Sequence, residues 1–318
     1  MKKLTYNHIE GCFLGFAVAD ALGVPVEFND RTYLNRKPVT EMTGFGRWNQ
    51  PAGTWSDDSS MAFCTAEALL NGYDLQLMGE LFVRWMKKGY WGANHTCFDV
   101  GNTTAVALNR IADGKDVLLS GESQPEANGN GSLMRIAPAS IYFCNNTSAA
   151  LMERMREVSG ITHAHFRSVL SCFIFSKFIR TILQGHAKTE AYTLAMTEVR
   201  EYVATQNFNP TELSRFERIL SGNLPGESVD KIQSTGYVLH TLEASIWCFM
   251  DNDSYSEAVL KAVNLGGDTD TTACVTGALA GLYYGTDSIP QNWKDTIARK
   301  NDVITLTKDF HNAIDRLS

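Results

Sequence analysis

The chain has 318 residues, of which 44% are hydrophobic and 20% charged, and its formal net charge is −7 at pH 7. This apolar content is enough to bury a large core, and because no proline- or serine-rich linker divides the chain we expect a single domain over residues 1–318. Lysine and arginine are scattered along an acidic chain, so it has no basic stripe and we expect no nucleic-acid partner.

The cysteines and the apolar runs favour a cytoplasmic protein with no membrane partner. The seven cysteines form no C-x-x-C pair or metal-binding spacing and mostly lie in apolar runs, as expected for reduced core residues. Lys2 and Lys3 precede an apolar stretch, but polar residues interrupt it, so we do not interpret it as a signal peptide. No run reaches the roughly 18 apolar residues that span a bilayer, and the nearest, 169–183, contains Lys177 and Arg180.

Hydrophobic residues at helical spacing predict helices along most of the chain. A first helix is expected over 7–22, where Gly23 and Pro25 end it. Glycines and prolines among polar residues then indicate a long loop over 29–54. Beyond that loop the pattern is again helical, and four to six of the expected helices fall between 147 and 264. Ranges predicted after the loop are 60–71, 76–88, 103–111, 166–183 and 229–250.

The last part of the chain is predicted to contain a buried helix over 271–284. Small residues recur along it at a spacing that lets another helix approach its backbone closely. After this helix, residues 293–318 are amphipathic, and the run 303–306 is interpreted as a lone strand. The small residues are Ala273, Gly277, Ala280 and Gly281.

Two short acidic segments each stand immediately before a predicted helix. Either one alone can be a helix N-cap, because an oxygen there accepts a hydrogen bond from a free backbone N–H. If the two segments converge, their carboxylates raise each other's pKa unless a cation neutralises them. Oxygen ligands without histidine or cysteine favour Mg²⁺, Mn²⁺ or Ca²⁺, and neither segment continues as an EF-hand loop. The segments are 55–59, with Asp57 and Asp58, and 266–272, with Asp268 and Asp270.

Other candidates for chemistry lie in the predicted loops. Glu27 follows the first helix and is either a solvated loop acid or a general acid or base. Asp99 precedes a helix that Asn102 is expected to cap, so it is either a turn residue or a site acid. The glycine-rich segment 126–135 is an ordinary turn or an anion-binding nest, and it matches neither a P-loop nor a Rossmann motif. His163, taken alone, is typical of a structural histidine.

Read together and in chain order, these segments resemble the ADP-ribosylglycohydrolase family, of the dinitrogenase reductase-activating and ADP-ribosyl-arginine hydrolase type. The resemblance is carried by 11–28, 56–59, 98–103, 129–138, 162–163 and 266–271. It implies an all-α fold, a single compact orthogonal multi-helix bundle. It also implies two divalent cations, Mg²⁺ or Mn²⁺. The ligands implied for them are Ser56, Asp57, Asp58, Asp268, Asp270 and Thr271.

The resemblance also implies a reaction and the residues that carry it. The enzyme would hydrolyse the N-glycosidic bond between ADP-ribose and an arginine of a modified protein, so an ADP-ribosylated protein is the expected partner. Glu27 and Asp99 would manage protons near the scissile bond, with Asp58 as a further catalytic candidate. Asp99 would lie on the guanidinium side. Residues implied to contact the ADP-ribose are Gly129, Asn130, Gly131, Ser132 and His163.

Two rival functions remain open. One is hydrolysis of serine- or polymer-linked ADP-ribose, and Asp99 favours arginine over it because a carboxylate is the natural partner of a guanidinium. The other is a catalytically silent binding or structural role. All six ligand positions retain oxygen donors, which favours an enzyme, although Ser56 replaces the more usual threonine and Ala19 a frequent glycine. A metal phosphohydrolase is disfavoured because no aspartate adjoins the His163-Ala-His165 sequence.

Overall fold

The computed structural model describes residues 5–317 of the chain. Within that range it contains sixteen α-helices, joined by loops and short 3₁₀ turns, and isolated β-bridges rather than strands. The predicted all-α class is therefore confirmed. In chain order the helices are α1 Tyr6–Gly23, α2 Arg31–Arg36, α3 Asp57–Ala68, α4 Leu75–Lys88, α5 Asn102–Ala112, α6 Ala137–Tyr142, α7 Ser148–Gly160, α8 Phe166–Leu183, α9 Lys188–Ala204, α10 Pro210–Ser214, α11 Glu217–Leu220, α12 Val238–Met250, α13 Tyr255–Asn264, α14 Thr269–Tyr284, α15 Gln291–Thr296 and α16 Lys300–Asp315.

An antiparallel pair of helices, α1 and α14, lies at the centre of the fold. Every residue from Gly11 to Gly23 in α1 and from Thr269 to Leu282 in α14 is buried. A helix that is buried all round belongs in the interior of a protein, where other helices shield it from water. Here α3, α8, α12, α13 and α16 pack around the pair in one hydrophobic cluster. All seven cysteines are free, and five of them are buried.

Glycines bring α1 and α14 into backbone contact. A Cβ built on Gly15 would lie 2.5 Å from the carbonyl oxygen of Gly277. A Cβ on Gly281 would lie 2.6 Å from the carbonyl carbon of Gly11. Non-bonded carbon atoms prefer separations of about 3.5–4.0 Å, so no larger residue fits at these positions without a shift. The close approach predicted for Gly277 and Gly281 is confirmed, and α1 is the helix that approaches.

This pairing brings the end of α1 to the start of α14. The Thr269 hydroxyl donates to the carbonyl oxygen of Gly23 at 2.8 Å. The loops beyond the two helices are also joined, since Phe28 N donates to the Gly267 carbonyl at 2.7 Å and Gly267 N donates to the Asn29 carbonyl at 2.8 Å. Gly267 has a φ of 73°, a conformation that glycine adopts at little cost.

The lone strand predicted at 303–306 is wrong, because these residues belong to α16. The run is rich in β-branched side chains, which favour strands only weakly when context opposes them. In α16 the side chains of Val303, Leu306 and Phe310 recur at helical spacing and are buried. Burial of this stripe decides the structure, as it does for most amphipathic helices.

The helix predicted over 229–250 begins later than expected. Residues 229–231 form a 3₁₀ turn, and α12 starts only at Val238. Backbone N–H of Val238 donates to the carbonyl of Asn128 at 3.0 Å, so the segment before α12 is bonded to the glycine-rich loop rather than coiled into a helix. This contact is long-range and has no signal in the local sequence.

Two further boundaries differ in the first half of the chain. The loop predicted over 29–54 contains the short helix α2, whose N-cap Asp30 accepts a hydrogen bond from Tyr33 N at 2.7 Å. The predicted cap of α5 is also wrong, since Asn102 is itself the first helical residue and Gly101 stands at the N-cap. Asp30 before a short polar helix is a recognisable start signal that the glycines of the long loop obscured.

One stretch, Tyr6–Val26, is long and apolar enough to cross a membrane, which corrects the expectation that no run reaches this length. It consists of α1 and the 3₁₀ turn that follows. Of its membrane-length window, 89% is buried inside the protein. Helices at the core of a protein and N-terminal signal sequences meet the same criterion of length and composition.

Candidate active site

The two acidic segments meet where α3 and α14 begin. The Thr271 hydroxyl donates to Oδ1 of Asp58 at 3.2 Å, although the two residues lie 213 positions apart in the chain. Asp57 is the first residue of α3, and Asp268 is the N-cap residue of α14. The convergence on which the metal interpretation depends is therefore present.

A further carboxylate, that of Asp20, was not predicted as part of the site and holds the first turn of α3 in place. Asp20 is fully buried near the end of α1. Its Oδ1 accepts from Ser56 N at 2.9 Å, and its Oδ2 accepts from the Ser59 backbone at 3.1 Å and the Ser59 hydroxyl at 2.6 Å. Ser56 in turn accepts from Asp58 N at 3.2 Å. An acid in the apolar second half of α1 is the sequence signal that could have indicated Asp20.

Three carboxylate oxygens in this cluster are buried and make no hydrogen bond to any residue from 5 to 317. They are Oδ2 of Asp58, Oδ1 of Asp268 and Oδ2 of Asp270. A buried carboxylate oxygen without a donor costs free energy, so native structures normally satisfy such atoms. No lysine, arginine or histidine of the described chain forms an ion pair with these three acids. Their negative charge needs a partner that protein atoms do not provide.

The acids raise one another's pKa values. Burial first, and neighbouring carboxylates second, hold the pKa of Asp57, Asp58 and Asp270 well above the usual range. Burial, helped by the charge of Asp99, raises the pKa of Glu27 to about 9. The same two effects, with Asp268 as the neighbour, raise the pKa of Asp99 to about 7. A cluster of this kind cannot ionise fully near neutral pH unless cations neutralise it.

The donor set fits divalent cations that prefer oxygen. Oxygens of Glu27, Asp268 and Asp270 lie within 4.8 Å of one another, and ligating atoms of Asp20, Asp58 and Cys274 form a second group of the same size. Apart from the Cys274 thiol these donors are carboxylate oxygens, and with no histidine among them they suit Mg²⁺ or Mn²⁺. Three buried oxygens of Asp58, Asp268 and Asp270 have no donor among the described residues, so the cluster has the chemistry of a cation site.

A cleft of about 240 Å³ opens beside the cluster. Glu27, Asp57, Asp268 and Thr271 line the part that reaches the acids. The rest is formed by the loop before α5, the glycine-rich loop and the turn before α8, which supply Asp99, Gly129, Asn130, Gly131 and His163. Most of the predicted site residues therefore share one cavity. Thr104 and Gly236, which were not predicted, line it as well.

The glycine-rich loop is bonded directly to the acidic cluster. Nδ2 of Asn130 donates to Oδ2 of Asp268 at 2.9 Å and to the Thr241 hydroxyl at 2.9 Å. Its backbone N–H donates to the carbonyl of Gly236 at 3.0 Å. Asn130 therefore orients one carboxylate of the cluster while its loop forms a wall of the cleft.

Ser132 does not face the cleft. Its side chain is fully buried, and its hydroxyl accepts from the Ser159 hydroxyl at 2.8 Å and lies 3.6 Å from Sγ of Cys172. Ser132 was predicted to contact the ligand, but it is fully buried and does not line the cleft. His163, by contrast, is buried with its ring against the cleft.

Glu27 and Asp99 stand at the outer side of the acidic cluster. Trp48 donates its indole N–H to Oε2 of Glu27. The Trp48 ring packs against Phe98, with ring centroids 5.6 Å apart, so one aromatic pair supports the segments of both acids. Asp99 has a φ of 58°, a left-handed conformation that costs energy for a residue with a side chain. Such local strain is typical of functional sites.

The fold and the cleft define an all-α protein whose helix N-termini gather an acidic, cation-fitting cluster beside a glycine-rich loop. The chain belongs to the ADP-ribosylglycohydrolase family, whose model matches residues 1–317. The resemblance seen in the motifs is thereby confirmed, and with it a glycohydrolase class of enzyme.

Individual relatives are similar in sequence to nearly the whole chain. An ADP-ribosylarginine hydrolase Tri1 of Serratia proteamaculans is 32% identical over 303 residues, covering 95% of this chain and 78% of the relative. The ADP-ribosyl-[dinitrogen reductase] glycohydrolase of Rhodospirillum rubrum is 27% identical over 294 residues, covering 91% and 90%. A solved structure titled ADP-ribosylglycohydrolase-related protein complex superposes with a TM-score of 0.81 and 29% identity, covering 98% of this chain and 99% of that one.

Proposed function

We propose that this protein removes ADP-ribose from modified proteins by hydrolysing the N-glycosidic bond to arginine, with two divalent cations, Mg²⁺ or Mn²⁺, in the acidic cluster. The observation that carries the proposal is the meeting of α3 and α14, where Thr271 bonds Asp58 and three buried carboxylate oxygens have no protein partner. Buried carboxylate oxygens without a partner destabilise a fold, and bound cations would supply the missing partner.

The cations would be held by the first turns of α3 and α14. We assign the carboxylates of Asp57, Asp58, Asp268 and Asp270 to them, together with the hydroxyl of Thr271. Ser56 contributes by capping α3, which keeps Asp58 in place. When bound, divalent cations orient the hydroxyls of a sugar and lower the pKa of a bound water. Asp58, also a catalytic candidate from sequence, does not line the cleft and is assigned to this set alone.

Glu27 and Asp99 are the residues placed to move protons at the scissile bond, because both line the cleft at the edge of the cluster. In the metal-free chain the pKa of Glu27 is raised to about 9 and that of Asp99 to about 7, and bound cations would bring both values down. General acid–base catalysis requires a pKa near the working pH. Trp48 holds Glu27 by its indole N–H, so the orientation of that carboxyl is set before substrate arrives.

The nucleotide end of the substrate would lie along the glycine-rich loop. No residue of the described chain accepts a hydrogen bond from the backbone N–H of Gly131, which lines the cleft, so this donor is free for an anion. A Cβ on Gly131 would lie 2.7 Å from Cε1 of His163, so glycine is needed for the loop to pass this ring. A pyrophosphate is the part of ADP-ribose that such donors suit.

Arginine is favoured as the attachment residue over serine or a polymer. Asp99 lines the cleft next to the acidic cluster, where a carboxylate can pair with the departing guanidinium. The name of the Serratia relative, an ADP-ribosylarginine hydrolase, supports the same choice. A silent binding role is less favoured, because every carboxylate of the cluster is retained and their charges face one another.

The test is release of ADP-ribose from ADP-ribosyl-arginine in the presence of Mg²⁺ or Mn²⁺. Asp268→Ala and Asp270→Ala are expected to abolish release while circular dichroism shows an unchanged helical content. Asp113→Ala serves as the matched control, since Asp113 is an exposed aspartate at the end of α5. Full activity of both site variants, or equal activity of the wild type in excess EDTA, would refute the mechanism. Release from arginine-, serine- and cysteine-linked conjugates, measured side by side, tests the attachment residue.

A further inference from the structure

Arg135 is a buried cation without an acidic partner. It is fully buried at the end of the glycine-rich segment, and its guanidinium lies 4.5 Å from the ring centroid of Phe82. Of its nitrogens, Nη2 donates to the carbonyl of Val158 at 3.1 Å and to the Thr162 hydroxyl at 2.9 Å. Nε and Nη1 make no hydrogen bond to the residues that the structure describes. A buried guanidinium is costly, so its retention at this place needs an explanation.

The hydrogen bonds of Arg135 lead to the cleft through Thr162. The Thr162 hydroxyl lies 2.8 Å from Nδ1 of His163, and Thr162 is itself fully buried. A guanidinium can only donate, so Thr162 accepts from Arg135. The hydroxyl proton then needs an acceptor, and Nδ1 of His163 is the acceptor within reach. This pattern leaves Nδ1 without a proton.

The opposite tautomer of His163, with its proton on Nδ1, would leave the Thr162 hydroxyl proton without an acceptor. If Nδ1 of His163 carried the proton, the Thr162 hydroxyl would accept twice and its own proton would find no acceptor in the part of the chain described. An unsatisfied buried donor costs free energy, and this cost selects one neutral tautomer. The proton of neutral His163 therefore sits on Nε2. Burial, with the charge of Arg135, lowers the pKa of His163 to about 3, so the ring stays neutral near pH 7.

Nε2 faces the glycine-rich loop. A Cβ on Gly129 would lie 3.4 Å from Nε2, and one on Gly131 would lie 3.3 Å from it. The ring lines the cleft, and among residues 5–317 no hydrogen-bond partner of Nε2 is present. The backbone of His163 is fixed on both sides, since its N–H donates to the Ser159 carbonyl at 2.8 Å and its carbonyl accepts from the Ser159 hydroxyl at 2.7 Å.

We propose that Arg135 is a positioning residue, which acts through Thr162 to hold His163 as the Nε2–H tautomer and so presents a neutral N–H donor to an anionic oxygen of the ligand in the cleft. The ligand class, a pyrophosphate-containing nucleotide, rests on the proposed function. Arg135 itself does not touch the ligand. Through its hydrogen bond to Thr162 it determines which ring nitrogen of His163 carries the proton.

The first measurement is the tautomer of His163 in the ligand-free protein, read from two-bond ¹H–¹⁵N correlations after labelling the histidines with ¹⁵N. The signal is assigned by its loss in His163→Asn. The wild type is expected to show Nε2–H, and Thr162→Val, which keeps the side-chain shape, is expected to show Nδ1–H or a mixture. Thr162→Ser restores a hydroxyl and should restore the tautomer. A wild type with its proton on Nδ1, or an unchanged tautomer in Thr162→Val, would overturn the proposal.

The second measurement is the affinity for ADP-ribose, determined by calorimetry on the same proteins. Thr162→Val should bind about tenfold more weakly, the loss expected for a hydrogen bond to a charged group, and Thr162→Ser should recover most of that loss. Unchanged affinity in Thr162→Val would overturn the proposal. If the tautomer depends on Thr162 but the wild type does not bind ADP-ribose, the relay stands and the proposed function fails.

Arg135 is tested by substitution with methionine, and with lysine in case the methionine variant does not fold. Arg135→Met removes the donor to Thr162, so both the tautomer and the affinity are expected to change as in Thr162→Val. Arg135→Lys keeps a cation with a shorter and differently shaped donor and should show a mixed tautomer. A folded Arg135 variant of either kind with pure Nε2–H and wild-type affinity would contradict the role given to this residue.

Discussion

Replacing Gly281 with alanine tests whether close packing of α1 on α14 holds the acidic cluster together. The added methyl group would lie 2.6 Å from the carbonyl carbon of Gly11 and closer still to its oxygen. The helices must separate locally by about 1 Å to restore an ordinary carbon contact of about 3.5 Å. Overpacking of this kind costs about 1–3 kcal/mol. For a chain of 318 residues that cost lowers Tm by about 2–5 °C.

The matched control is alanine at Gly160, which is also buried and helical but has nothing within 4 Å of the added methyl group. Alanine is the better helix former, so Gly160→Ala should leave Tm unchanged or raise it slightly. Both variants are melted by calorimetry with and without saturating Mn²⁺. Because α1 carries Asp20 and α14 carries Asp270, Gly281→Ala should also reduce the rise in Tm that Mn²⁺ gives. Equal melting of Gly281→Ala and wild type, in both conditions, would refute this reasoning.

Three further outcomes are expected from the acids. The metal-free protein should lose stability as pH rises from about 5 to 8, because folded Asp57, Asp58 and Asp270 bind more protons than they do in the unfolded chain. Each extra bound proton changes the free energy of unfolding by about 1.4 kcal/mol per pH unit. Urea unfolding in EDTA measures this change, and a free energy of unfolding that increases with pH would contradict the prediction. Asp58→Asn should stabilise the metal-free chain at pH 8. It should also abolish the stabilisation of the folded chain by Mn²⁺, which for the wild type is about 2.7 kcal/mol at a hundredfold excess over Kd. An unchanged stabilisation by Mn²⁺ would exclude Asp58 as a ligand. Asp99→Asn should retain ADP-ribose binding while kcat/KM for arginine conjugates falls by a factor of about 10²–10⁴; wild-type turnover would remove Asp99 from the reaction.

The sequence predicted the helical core and the acidic segments because both depend on local patterns. The run 271–284 is mostly apolar, and its glycines at 277 and 281 would only weaken an isolated helix, so a closely packed partner helix could be expected. The identity of that partner could not, since contacts between residues hundreds of positions apart leave no local signal. Asp20 was missed as part of the cluster for the same reason, because its carboxylate accepts from Ser56 and Ser59, which are distant in the sequence.

Other failures came from competition between weak local signals and packing. The β-branched run 303–306 favoured a strand, but burial of Val303 and Leu306 on one face of α16 decided for helix. Ser132 was named with its loop neighbours because motif position does not give side-chain direction. Its hydroxyl turns to Ser159, into the core. Trp48 lay in a stretch interpreted as plain loop, and only the folded chain brings its indole to Glu27.

The hydrogen bonds between the loops after α1 and before α14 limit how the cleft can open. Phe28 and Asn29 exchange backbone bonds with Gly267, and Asp268 N donates to the Ser234 carbonyl at 2.8 Å. The segment that contains Glu27 is thus hydrogen-bonded to the segment that contains Asp268, so neither segment can move outward without the other. Asp99 and Thr104 line the same cleft from a separate stretch of chain, so we expect any widening of the cleft for a bulky ligand to come from movement of that stretch.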